Sequence, residues 1–113
     1  MSSVTLLDAV AADNGTGPAV DIAAATSLRL TWDFSFGAPE QVSGFFGWLE
    51  HAPGSGGPWV HLGHTPLLYS AGSYRFCVGG ADQYVRGCWF ASKRGGSGGA
   101  SPGLTVSLAG EAL

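Results

Sequence analysis

Three histidines, His51, His61 and His64, are the residues of this chain best suited to metal binding or general-base chemistry. His61 and His64 stand three apart, and in an extended strand that odd spacing sends them to opposite faces. No cysteine or carboxylate has the spacing to complete a zinc site with them, so no metal site is expected. The carboxylates Asp33, Glu40, Glu50 and Asp82 fall on separate strands and loops, which gives no acid–base pair of the glycosidase kind. No nucleophile-elbow pattern surrounds any serine or threonine. Gly79-Gly80 and the glycine run at 95–99 lack the lysine and the strand-to-helix setting that cradle phosphate. The chain is therefore read as a non-enzyme, with no catalytic residue and no cofactor.

Aromatic side chains offer binding chemistry instead. Trp32, Trp48, Trp59 and Trp89 could stack on sugar rings, but Trp32 and Trp89 fall on the apolar sides of alternating strands, where plain packing claims them. Trp59, beside a Gly/Pro loop, is the candidate glycan contact, and Asp82 and Gln83 are possible polar contacts. The two cysteines, Cys77 and Cys88, form no disulfide framework and are expected as free thiols. Asn14-Gly15-Thr16 matches a glycosylation sequon; without a basic, then apolar, amino-terminal stretch it is read as a turn.

The elements that must position these residues are strands. Residues 73–90, SYRFCVGGADQYVRGCWF, place two runs of strand formers around Gly79–Gln83, which predicts a β-hairpin. Pairing Val78 with Val85 gives it an inner side of Tyr74, Phe76, Val85 and Trp89, with Gly87 leaving room for Phe76. The outer side then carries Arg75, Cys77, Tyr84, Arg86 and Cys88, with the thiols diagonal to each other and badly placed for a bridge.

Before the hairpin, Val4–Val10 reads as a strand or an arm and Val20–Ile22 as a short strand. Leu28, Leu30, Trp32, Phe34 and Phe36 alternate with polar residues, the pattern of a sheet with one face on a core and one in water. Val42–His51 carries bulk on both sides, with Phe46 and Trp48 opposite Phe45, Leu49 and His51, and predicts a strand covered on both faces. Trp59–Leu62 is extended, and Pro66 makes Leu67–Tyr69 an edge or irregular connection. After the hairpin, a glycine-rich loop at 93–103 is expected to be mobile, and Leu104, Val106 and Leu108 alternate in a last strand predicted to pair with 83–91. The expectation is one all-β domain over 1–113, an antiparallel β-sandwich or jelly roll of about seven or eight short strands with an extended N-terminal arm and turn at 1–19.

Composition bounds the partners. Of 113 residues only 12% are charged, against about 25% in ordinary domains, so part of the surface is either covered by a partner or solvated by Gly, Ser and Thr. A net charge of −3 gives no support for nucleic-acid binding. No segment reaches the roughly twenty apolar residues of a membrane span, so no membrane role is expected.

Several segments resemble a family of small β-rich virion proteins of tailed bacteriophages, encoded among head and tail genes. They are Val4–Ala9, Gly17–Ile22, Leu28–Phe34, Pro58–Gly63, Ser73–Arg75, Asp82–Arg86 with Trp89, and Val106–Glu111. Where relatives have a polar turn such as Asp-Gly before the tryptophan, this chain has Gly54-Ser55-Gly56-Gly57-Pro58. The resemblance implies a structural protein of the virion, assembled in the bacterial host cytoplasm: a capsid decoration or cement protein that binds the major capsid protein and copies of itself as a homo-oligomer. A head-to-tail connector or tail component, and a carbohydrate-binding module, are the alternatives. In the cement reading the partner contacts are Val4, Leu6, Leu7 and Val10 in the arm, Lys93 and Arg94 in the loop, and Arg75, Tyr84 and Arg86 on the outer side of the hairpin.

Overall fold

The computed structural model describes residues 3–23 and 25–113, apart from the side chain of Ser97. Two antiparallel sheets face each other. The four-stranded sheet has the order β1 (Ser3–Ala11), β9 (Leu104–Ala112), β4 (Leu28–Phe36), β7 (Gly72–Val78). The five-stranded sheet runs β2 (Asn14–Thr16), β8 (Tyr84–Lys93), β5 (Val42–Ala52), β6 (Val60–His64), with β3 (Val20–Asp21) also paired to β8. The fold class is the expected all-β sandwich, with nine strands among the described residues.

β4 follows its alternation: Leu28, Leu30, Trp32 and Phe34 are buried, and Arg29, Asp33 and Ser35 are exposed. From the facing sheet, Phe45 stacks on Phe34 at 4.4 Å between ring centroids and meets Trp32 edge-on at 6.0 Å. Leu104, Val106 and Leu108 of β9 and Val85, Trp89 and Ala91 of β8 complete the middle of the core. The indole N–H of Trp89 donates to the Ala12 carbonyl at 3.0 Å, so this buried donor is satisfied.

The 73–90 stretch is not a hairpin. β7 pairs with β4, and β8 pairs with β5 in the other sheet, so Gly79–Gln83 is an arch between sheets. The Ala81 N–H donates to the Thr26 carbonyl at 3.0 Å, which ties the arch to the loop before β4. Glycine-rich turns serve arches as well as hairpins, and long registers take both strands, one unbroken with β4 and one with β5 that shifts once between Val42 and Gly44. The expected faces hold although the partners do not: Val85 and Trp89 point inward, and Arg75 and Cys77 are exposed on the outside. Gly87 makes room for Leu108, whose Cδ2 would lie 2.6 Å from an added Cβ, and not for Phe76. The last strand likewise does not pair with 83–91; β9 lies between β1 and β4.

Residues 3–11 form the edge strand β1, hydrogen-bonded to β9. One extra residue between Thr5 and Leu7 relative to β9 bulges the strand, and both Leu6 and Leu7 turn into the core at 1% and 3% exposure. Asn14–Thr16, expected as a turn, pairs with Phe90–Cys88 as β2. The loop between β8 and β9 is pinned at both ends, by Arg94 N–H to the Gln41 carbonyl at 2.8 Å and Ala38 N–H to the Pro102 carbonyl at 2.9 Å. Asp13 adds to this anchor, accepting from Ser101 Oγ and from the Leu104 N–H.

Candidate functional site: the aromatic face of the five-stranded sheet

Alternation on β5 that puts Phe45 and Leu49 into the core puts Phe46, Trp48 and Glu50 outside. Register sets Phe46 beside Phe90, Trp48 beside Cys88, and Glu50 beside Arg86 of β8. On its other flank β5 sets Trp48 beside His64 and Glu50 beside His61 of β6. The outcome is a continuous outward surface in which Phe46 lies 5.6 Å from Trp48 and 5.3 Å from His64, ring to ring, with Phe90 48% exposed at its margin.

A polar cluster sits within this surface. Arg86 Nε and Nη2 each approach Glu50 Oε1 at 2.7 Å, while the Trp48 indole N–H donates to Oε2 at 3.1 Å. Burial works against ionisation of Glu50, but the Trp48 hydrogen bond and the Arg86 guanidinium prevail and hold its carboxyl below the usual range. Trp59 completes the stack, with the Arg86 guanidinium carbon 4.2 Å from its ring centroid. One face of Trp59 is thereby occupied by a cation, which halves what it can offer a sugar. Cys88 lies beneath the cluster, and burial in the first place, helped by the Glu50 charge, pushes its thiol up.

The histidines depart from expectation. His61 and His64 lie on the same face, with His61 Nε2 3.0 Å from His64 Nδ1. Between the pairs Leu49–Gly63 and Glu50–His61, β6 carries one extra residue, Leu62; this bulge restores the parity that a spacing of three breaks. His51 is apart from them, and its Nδ1 accepts the Asp82 backbone N–H at 3.0 Å. Among the described residues no group of three or more His, Cys, Asp or Glu is assembled for a metal.

The remaining expected contacts scatter. Leu6 and Leu7 are consumed by the protein's own core, while Val4 and Val10 pack against it half-buried. Arg75 lies on the outer face of the four-stranded sheet, and Tyr84 and Arg86 on that of the other, so the three do not share one surface as a hairpin would require. Lys93 is half-buried at the end of β8 and Arg94 is exposed. Cys77 and Cys88 are free, as expected, but because they lie in different sheets and not because of a diagonal pairing. Gln83 is engaged within the chain, donating from Nε2 to Asp21 Oδ2 at 3.1 Å. What sequence reasoning missed is the Phe46–Trp48–Phe90 surface; its signal was the double-sided bulk of residues 42–51.

The sequence matches no protein-family model and no curated protein. Among solved structures, the crystal structure of the SPBc2 prophage-derived protein YomS aligns with a TM-score of 0.56 at 10% identity, covering 96% of this chain and 90% of that one. The likeness is one of fold. A structure of infectious bursal disease virus, Gx strain, aligns with a TM-score of 0.45 at 13% identity over 96% of this chain and 31% of that one, a level that carries no argument.

Proposed function

We propose that this chain is a non-catalytic structural component of a phage particle, a capsid decoration or cement protein that docks through the outer face of its five-stranded sheet. The observation that carries the reading is the outward placement of three aromatic rings on one sheet face, Phe46 and Trp48 half-buried and Phe90 exposed. Sharing a fold with a prophage-derived protein is compatible with it. In this reading the aromatic rings bury against the major capsid protein or a neighbouring copy, and the neutralised Glu50–Arg86 pair enters the interface without an unpaired charge. Particle stability rises because separating capsomers must then re-expose this surface. The β1 contribution becomes that of a sheet edge, through its backbone groups, since its leucines are already buried.

The test is a cryo-EM reconstruction of particles made by the genome that encodes the chain. The expected result is density for the sandwich at many positions on the head lattice, with Phe46, Trp48 and Phe90 against a neighbour. Density confined to a ring at the portal or tail would replace cement with connector, and absence of the chain from purified particles by mass spectrometry would overturn the virion role.

A further inference from the structure

We propose that His61 and His64 chelate one divalent transition-metal ion, of the kind that takes imidazole ligands such as Zn²⁺ or Ni²⁺, on the outer face of the five-stranded sheet. Two nitrogens bound to one ion at about 2.0–2.1 Å, at angles between square and tetrahedral, are about 2.9–3.4 Å apart. His61 Nε2 and His64 Nδ1 stand at 3.0 Å, inside that window, before any ion is bound. The same separation serves an N–H···N hydrogen bond, which a cation would displace once the donor ring carries its proton on its other nitrogen, so that both facing nitrogens offer lone pairs.

The pair is held in place by its surroundings. Both residues are on β6, fixed by its register with β5, and the Leu62 bulge is what turns them to one side. Phe46 lies 5.3 Å from the His64 ring and limits its rotation. Both histidines are exposed, so an ion can arrive from solvent. Glu50 is the cross-strand neighbour of His61, yet its two oxygens already accept from Trp48 and Arg86. The protein therefore supplies two ligands, and water or a group from another molecule completes the sphere. Nothing in this depends on the particle role.

Isothermal titration calorimetry of the full chain, purified without an affinity tag, against ZnCl₂ and NiCl₂ tests the proposal. Saturable uptake of one ion per chain is expected. His61→Ala and His64→Ala should each weaken it about tenfold or more, and His51→Ala should leave it unchanged. Should either alanine variant lose its sheet signal in circular dichroism, His61→Gln or His64→Gln takes its place with the same expectation. Absence of saturable uptake, wild-type affinity in either the 61 or the 64 variant, or an equal loss in His51→Ala overturns the site.

Discussion

On the four-stranded sheet the outward positions are filled by Arg29, Thr31, Asp33 and Ser35 of β4 and by Thr105, Ser107, Ala109 and Glu111 of β9. On the five-stranded sheet the corresponding positions hold Phe46, Trp48 and Glu50 of β5, Arg86, Cys88 and Phe90 of β8, and the two histidines of β6. Each face has one arginine–glutamate pair across neighbouring strands. Arg29–Glu111 meets at 3.3 Å with side chains 47% and 38% exposed; Arg86–Glu50 meets at 2.7 Å with 27% and 21% exposed and is enclosed by two tryptophans. Small polar residues are enough to solvate a sandwich, as the first face demonstrates. Aromatic rings on the second are the apolar surface that the proposed docking would cover.

Removing one acid from each face is the strongest way to break this comparison. Glu50→Ala leaves the Arg86 guanidinium and the Trp48 N–H without their acceptor and should cost about 2 kcal/mol, whereas Glu111→Ala should cost no more than about 0.5 kcal/mol, both read by urea denaturation. Equal losses would mean that the two pairs are alike. Next in size, Phe90→Ser should weaken binding to particles by about 1–2 kcal/mol with little change in stability, while Thr31→Ser on the polar face should leave binding unchanged.

Acidification sharpens the contrast further. The folded-state carboxyl of Glu50 lies below its ordinary value of 4.5, so its contribution is complete above that pH and is lost as the pH falls through the folded value. The stability gap between wild type and Glu50→Gln should therefore be full at neutral pH and close at strongly acid pH. Asp13, ordinarily at 3.8, follows the same sign: burial opposes its charge, but Ser101, the Leu104 and Gly103 N–H groups and Lys93 lower it. The smallest effect is chemical. Exposed Cys77 should react with a thiol reagent in the native protein, and buried Cys88 only on unfolding, giving one fast and one slow equivalent.

Faces were legible in the sequence and partners were not. The period of two in Leu28–Phe36 and Leu104–Leu108 gave the burial of both strands, because alternation is a local property of extended chain. It also sorted Val85 and Trp89 from Arg86. Which strand lies alongside is a tertiary matter: Gly79–Gln83 has the composition of a hairpin turn and makes an arch. Bulges defeated the pattern twice, since neither the consecutive burial of Leu6 and Leu7 nor the shared side of His61 and His64 fits an unbroken period. The stacking of Arg86 on Trp59 joins residues far apart in the chain and left no local signal.

The position of β9 has a consequence for how the molecule comes together in time. It lies between β1 and β4, pairing with both along most of its length, so two strands made early wait for residues 104–112 before their sheet can close. Until then each presents a row of unsatisfied backbone groups beside apolar side chains, the arrangement most open to pairing with another molecule. Closure also demands contacts between the most distant parts of the described chain, which favours slow, all-or-none folding. A chain in which this strand has not yet docked is thus the species most exposed to aggregation, and that exposure should fall once residues 104–112 are free to pair.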